Sequence, residues 1–413
     1  MNSTITRPSH GECTLISLAL VCSLVVSCVE HTDNDAPLIE AITPAEMSMH
    51  VPTAHIRVDE VDFQYMSDHP LTDIEIPASL TVWRAGEPVC SGEGVELQIK
   101  GASSAALPAK ALGVKFDRSL RSSTNALIQV PHQRSEHSLT KIKAFRLRNG
   151  GNTFYTSLLK DLAYARMVAA SDLDVLSLYG EPAATFVNGN FYSLHNLRTE
   201  NNANGISRLL GIDEESLSLA AVEDVQSELE IKRGAEEGWR RLERLVAAGD
   251  VQGTLAELNV SSFIDFIIGG ACFATQDWPH RNVRLYRIGN GPVEFILYDF
   301  DFAGQAYSKR TPYEFIERGQ EGLIRSMFLL CYQDSDFQQQ LEQRYDEVML
   351  SGQLSDEQLR HHLTELATTY APVIRHQTQA FGFPTSTAAW YVDLEATAGD
   401  YAQRYQHLPD DFK

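Results

Sequence analysis

Hydrophobic and polar positions follow two different rhythms along this chain, and the change from one to the other divides it. Between residues 55 and 117, His55-Ile56-Arg57-Val58, Leu80-Thr81-Val82-Trp83 and Val95-Glu96-Leu97-Gln98-Ile99 alternate apolar and polar side chains, the period of half-buried strands. Gly86, Gly92 and Gly94 fall between them as turn residues. The polar stretch 118–139, with Ser122, Asn125 and His132, reads as a surface excursion. From near Ser157 the rhythm lengthens: Leu158, Leu159, Leu162, Ala163 and Met167 recur every three or four residues and predict a helix that carries Lys160 and Asp161 within it. Ala184 to Val187, the turn dipeptide Asn188-Gly189 and Phe191-Tyr192 predict a hairpin. Residues 205–270 and 312–376 have mainly helical periodicity, with short strands around 283–287 and 295–299. The expected fold is α+β, a β-rich lobe over about 51–200 followed by a mainly helical lobe over about 201–408.

Upstream of that pattern, residues 1–27 read as an export signal. Arg7 lies in a short polar start, and Leu15 to Val26 is an apolar run too short to span a membrane. The run ends in Val25-Val26-Ser27-Cys28, which resembles the lipobox of bacterial lipoproteins. Cleavage before Cys28 would make it the lipid-anchored N-terminus. A plain cleaved signal or a buried N-terminal helix are the blander alternatives. Val29 and Glu30 follow, with no Asp beside Cys28, so outer-membrane sorting is the expectation. Residues 28–50 are polar and Asp-rich and suit a flexible tether.

Composition narrows the function. The chain has 413 residues, 43% hydrophobic and 22% charged, enough for a large packed domain. A net charge of -21 offers no footprint for a nucleic-acid backbone. It also means that an anionic substrate must be met by local cations or by a bound metal ion. After Cys28 only Cys90, Cys272 and Cys331 remain, too few for a disulfide framework and without the spacing of a zinc site. His-Glu-x-x-His and Gly-x-Ser-x-Gly patterns are absent from the sequence.

Three stretches could carry chemistry. Gln276-Asp277-Trp278-Pro279-His280-Arg281-Asn282 follows the apolar run Phe263 to Phe273 and precedes Val283-Arg284-Leu285-Tyr286. Asp277 and Asn282 stand five residues apart, the spacing of the catalytic Asp and metal-binding Asn in protein-kinase loops. Seventeen residues after Asn282 comes Asp299-Phe300-Asp301, at the end of a strand-like run. Phosphoryl transfer needs positioning and charge neutralisation above all. Carboxylate and amide oxygens are hard ligands for Mg²⁺, and a second carboxylate can take the acceptor proton. The bland reading makes Asp277 a helix cap and Asp299 with Asp301 a solvated or calcium-binding turn. The third stretch is Gln98-Ile99-Lys100-Gly101-Ala102-Ser103-Ser104 with Pro108-Ala109-Lys110 beyond it, a small-residue turn and a Lys that could hold a nucleotide phosphate. Lys115 alternates outward and reads as a solvated residue.

Together these stretches resemble the spore-coat protein H (CotH) family of atypical secreted kinases. The family's I-R-G-x-S-S is similar to Ile99 to Ser104, its P-K-K-S-Y to Pro108 to Leu112, and its L-R-N to Leu147-Arg148-Asn149. N-x-D-W-P-x-N-N looks like Thr275 to Asn282, and Y-D-F-D-F-x-F-G like Tyr298 to Gly304. The resemblance implies a two-lobed kinase-like fold and a nucleotide site at Lys110, Ser103, Ser104 and Glu200. It further implies Asp277 as catalytic aspartate, Asn282 and Asp299 as metal ligands, and Asp301 as a supporting or second-metal carboxylate. The implied cofactors are Mg²⁺ or Mn²⁺, with ATP as donor, and the implied acceptors are Ser or Thr hydroxyls of exported proteins. Departures from the pattern include Lys100, Ala109, Gln276, Arg281 and Ser193, and Thr199 stands where the family has an acid, with Glu200 one place later. The competing expectation is a non-catalytic scaffold with the same fold.

Overall fold

A computed structural model describes residues 41–117, 142–178, 180–223, 229–304 and 309–413. Cys28, the signal, most of the tether and the 118–139 excursion lie outside these residues. The last part of the expected tether is packed: Thr43 and Glu46 form a reciprocal capping box that starts helix α1 (Pro44–Met47). Met47, on this turn, is fully buried.

Seven strands close into a barrel: β1 (Thr53–Val58), β2 (Glu75–Arg84), β3 (Glu87–Lys100), β4 (Ala111–Phe116), β5 (Ala144–Arg148), β7 (Glu181–Val187) and β8 (Asn190–Thr199), in the order β1-β2-β3-β4-β5-β8-β7. Helix α2 (Glu60–Asp68) follows β1. The alternation read from sequence is what divides the two faces of this sheet. Leu97 pairs with Val114, Val114 with Phe145, and Leu147 with Leu197; all are buried and fill the interior. One residue along, Gln98 pairs with Gly113, Gly113 with Arg146, and Arg146 with Arg198. The other face is therefore polar and cationic. Gly86 is the β2–β3 turn, whereas Gly92 and Gly94 lie inside β3. The strand carries on past them, and the space a Gly94 side chain would need holds the Asp117 carboxylate.

The predicted helix is α3 (Lys160–Ala170), starting three residues later than the periodicity suggests. Leu158 takes a left-handed φ of +61°, and the Ser157 carbonyl accepts from the Trp390 indole rather than from a helical turn. A second sheet joins β6 (Leu176–Ser177), β9 (Leu217–Val222), β10 (Glu230–Arg233), β11 (Val283–Ile288) and β12 (Glu294–Leu297) in the order β10-β9-β11-β12-β6. β9 and β10 fall in a stretch whose periodicity reads as helical. Leu217-Ser218-Leu219-Ala220-Ala221-Val222 is almost wholly buried, and a short run buried on both faces has no period that separates strand from helix.

Helices α4 (Ala203–Leu210), α5 (Glu236–Ala248), α6 (Val251–Glu257) and α7 (Val260–Phe273) lie between these strands in the chain, with α4 packed on β9. The rest is helical: α8 (Pro312–Glu317), α9 (Leu323–Cys331), α10 (Ser335–Ser351), α11 (Asp356–Tyr370), α12 (Ile374–Phe381) and α13 (Thr387–Gln406). Among the described residues no helix is long and apolar enough to cross a membrane. Helix α7 is buried over nearly its whole length and packs on β12. Gly269 and Gly270, adjacent in it, make this approach possible. A Cβ on Gly269 would lie 2.7 Å from Leu297 Cδ1, and one on Gly270 2.4 Å from the Trp278 ring. The sheet and the loop after α7 are thereby pressed against the same helix.

Candidate functional site

The Asp277 loop is held by its tryptophan. Trp278 is buried and meets Phe266 edge-on at 5.4 Å and Phe315 in a near-parallel stack at 6.4 Å. Asp277, one residue before this anchor, is half-buried, and its carboxylate makes no hydrogen bond to the described residues. Burial lowers the pKa of neighbouring His280, opposed by the charge of Asp277.

Asn282 ends this loop, immediately before β11, and Asp299 follows the end of β12, the strand paired with β11. The two residues sit at one end of the same antiparallel ladder, with left-handed φ values of +53° and +64°. Asn and Asp tolerate that conformation better than other non-glycine residues, and such positions cluster at functional sites.

Phe300 fixes the Asp299-Phe300-Asp301 turn from below. Its ring stacks on Tyr164 of α3 and meets Phe273 of α7 edge-on at 5.6 Å. Its N–H donates to Asp161 Oδ1 at 2.8 Å. Asp161, on the first turn of α3, is 2% exposed and also faces two guanidiniums, Arg198 Nη2 at 2.8 Å and Arg148 Nε at 3.4 Å. Desolvation raises its pKa, but these cations and the Phe300 N–H outweigh that and hold it below the usual carboxylate range. Arg148 then reaches the turn itself. Its Nη2 donates to Asp299 Oδ1 at 2.5 Å and to Asp301 Oδ2 at 2.8 Å. The Asn152 N–H donates to the same Asp301 oxygen at 3.0 Å.

One buried oxygen of this cluster meets neither a hydrogen-bond donor nor a guanidinium among the described residues. Asp301 Oδ1 is buried and without a hydrogen-bond partner, and burial, with Asp299 and Asp161 nearby, pushes the Asp301 carboxyl up to about 6 despite Arg148. Asp161, Asp299 and Asp301 each bring a carboxylate oxygen to within 4.8 Å of the others. Asp161 is already committed to Phe300 and Arg198, and Asp299 and Asp301 are the two with capacity for a further cation. Asp299, 26% exposed, is the accessible one. The unpartnered buried oxygen and the all-oxygen donor set fit a hard divalent ion. Lys160, next to Asp161 and 8% exposed, feels Asp400 and Asp301, though burial dominates and lowers its pKa. The other ligand-type group, His361, His362 and Glu365 on α11, differs: it is mostly exposed, and Arg166 already lies 3.8 Å from Glu365.

The Gly101 to Lys110 loop is tied to this centre through Asn149, the residue after Arg148. Its Nδ2 donates to the carbonyl oxygens of Ala109 at 2.7 Å and Ser104 at 3.4 Å. Ser103 and Ser104 form a short 3₁₀ turn, Ser103–Ala106. Lys110 and Glu200 are not brought together. The Lys110 ammonium donates to the carbonyls of Ala105 and Leu107, each at 2.9 Å, and burial lowers its pKa. Glu200 accepts from Arg146 Nη2 at 2.7 Å on the polar barrel face. Its neighbour Thr199, paired with Phe145, belongs to the interior. The one-residue offset seen in the sequence thus leaves the acid on the polar face.

Sequence reasoning left Asp161, Arg146 and Arg198 out of the site and gave Arg148 no role. The signals were present: two charged residues opening an apolar helix, and arginines at the alternate positions 146 and 148 on either side of Leu147.

A family model described as CotH kinase protein matches residues 97–408, about three quarters of the chain. The chain belongs to the CotH family. The match begins inside β3 and runs past α13, so it takes in Arg148, Asp161, the Trp278 loop and the Asp299 turn. It carries a kinase-like function for the chain. No curated protein matches the sequence.

Proposed function

We propose that this CotH kinase is an exported, lipid-anchored, metal-dependent enzyme that transfers the γ-phosphate of ATP to Ser or Thr hydroxyls of exported or surface proteins. The observation that carries the reading is the Asp299 and Asp301 pair, braced by Arg148 and held at the sheet end that also bears Asn282. Asp299 and Asp301, with the Asn282 amide oxygen, would hold the cation, Mg²⁺ or Mn²⁺. A divalent ion bound there supplies charge neutralisation for the phosphates.

The residues of the chain do the rest. Asp277 accepts the proton of the acceptor hydroxyl as its oxygen bonds to the γ-phosphorus and the bond to the ADP oxygen breaks. Trp278, packed on Phe266 and Phe315, anchors the loop that carries that carboxylate. Arg148 aligns the two carboxylates and offsets their mutual repulsion, which at this burial would otherwise favour protonating one of them. Asp161 in turn holds Arg148 and the Phe300 backbone. The export reading rests on Leu15 to Val26 and on Val25-Val26-Ser27-Cys28.

The test is Asp277→Asn. Phosphotransfer from ATP to a Ser/Thr acceptor protein should fall by about 10²-fold or more, while nucleotide affinity and the melting curve stay those of the parent. Equal phosphotransfer in parent and variant sinks Asp277 as base, and no transfer by well-folded parent protein favours the scaffold.

A further inference from the structure

With a net charge of -21, the chain must concentrate cations locally to receive a nucleotide, and the polar face of β3, β4, β5 and β8 is where it does so. Successive strands place Lys100, Lys115, Arg146, Arg148 and Arg198 on that face. Four of the five have carboxylate partners. Lys115 pairs with Glu96 and Glu75, Arg146 with Glu200, Arg148 with Asp299 and Asp301, and Arg198 with Asp161. Lys100 differs: its Nζ meets the uncharged Oε1 of Gln98, and no ion pair joins it to a described residue.

The sheet is also shaped beneath Lys100. A Cβ on Gly113 would lie 2.6 Å from Lys100 Cε and 3.1 Å from Glu200 Oε1. The Lys100 stem and the Glu200 carboxylate therefore converge over a bare patch of backbone, and any side chain at 113 would displace them. Arg148, two residues beyond the Arg146 that pairs with Gly113 and on the same face, reaches Asp299. Lys110 is arranged otherwise, with its ammonium turned back onto two carbonyls of its own loop.

Building on the kinase reading, we infer that Lys100, rather than Lys110, is the ammonium that meets the nucleotide phosphates, over the floor left open by Gly113 and oriented by Glu200. Lys110 is a positioning residue that closes the Ser103 to Ala109 loop. A triphosphate lying along this face would leave its terminal phosphate toward Arg148 and the Asp299 turn.

Titration of the full mature chain with N-methylanthraniloyl-ATP and Mg²⁺, read by fluorescence, tests this without requiring turnover. Lys100→Met should weaken binding about tenfold or more, the worth of a charge-assisted contact, at an unchanged melting temperature. Lys100→Arg should restore most of it. Lys110→Met should lower the melting temperature and leave affinity within about twofold. Binding by Lys100→Met within about twofold of the parent overturns the inference, as does a tenfold loss confined to Lys110→Met. If the parent itself binds no nucleotide, the kinase reading fails first and the assignment of Lys100 falls with it.

Discussion

Replacing Asp161 should unfold the site from within, and the size of the effect follows from its three partners. In Asp161→Asn the amide oxygen can still accept from the Phe300 N–H, now 2.8 Å from Oδ1, but the negative charge is gone. Arg148 retains Asp299 and Asp301. Arg198, 6% exposed, keeps a long contact of 3.4 Å to the Leu178 carbonyl and the more distant charge of Asp301. Removing one partner of a buried ion pair costs roughly 3–5 kcal/mol, and because Arg148 is still compensated the lower end applies, about 3 kcal/mol. Asp161→Ala also strands the Phe300 N–H and should cost about 1–2 kcal/mol more. Asp161→Asn combined with Arg198→Met should recover part of the loss, a non-additivity of about 1–2 kcal/mol between touching residues. Urea unfolding followed by tryptophan fluorescence and far-UV circular dichroism, with the denaturant slope compared between variants, measures all three. Coincident curves for the parent, Asp161→Asn and Asp161→Ala would refute the bracket, and a fully additive double variant would refute its pairing with Arg198.

Three further outcomes follow from the packing around the site. Gly151 has φ +54°, and a Cβ there would lie 1.9 Å from Asp301 Oδ2, so Gly151→Ala should cost about 1–3 kcal/mol and weaken Mn²⁺ binding in an electron paramagnetic resonance titration. Trp278→Ala should cost roughly 3 kcal/mol in urea, the low end for a buried Trp because it anchors a loop, and should reduce phosphotransfer in the fraction that remains folded. His195 is buried between the Thr185 hydroxyl and the Lys110 carbonyl, and burial drives its pKa down to about 4. Between that value and the 6.5 of the unfolded chain, the unfolded state binds the extra proton, so this contribution to stability is complete above pH 6.5 and is lost as the pH falls toward 4. At pH 5 the loss amounts to roughly 2 kcal/mol, and His195→Gln should flatten the difference in stability between pH 5 and pH 7.5.

Much of the barrel could be read from the chain because alternation survives wherever one face of a sheet is buried and the other is not. That is true of Val95 to Ile99, and the Asn188-Gly189 turn sits where the dipeptide indicates. It fails for Leu217 to Val222, which is covered on both sides and has no polar face to mark its period. The two acidic motifs were legible as motifs because spacing on one loop is a local property. Their support was not, because it is assembled from distant segments. Asp161 lies 139 residues before Phe300, whose N–H it accepts, and Arg148 lies 151 residues before Asp299. The pairing of Glu200 depends on register across β5 and β8, and no feature of the sequence around Thr199 decides which of the two neighbours faces inward.

The most direct measurement is transfer of the label from [γ-³²P]ATP to a Ser/Thr-containing acceptor protein by the purified mature chain, with Mg²⁺ or Mn²⁺ and with a chelator in parallel. The account predicts metal-dependent labelling of Ser or Thr that Asp277→Asn and Asp299→Asn each abolish while both variants melt like the parent. Labelling that survives the chelator or either substitution would contradict it, as would folded, nucleotide-bound parent protein that labels nothing.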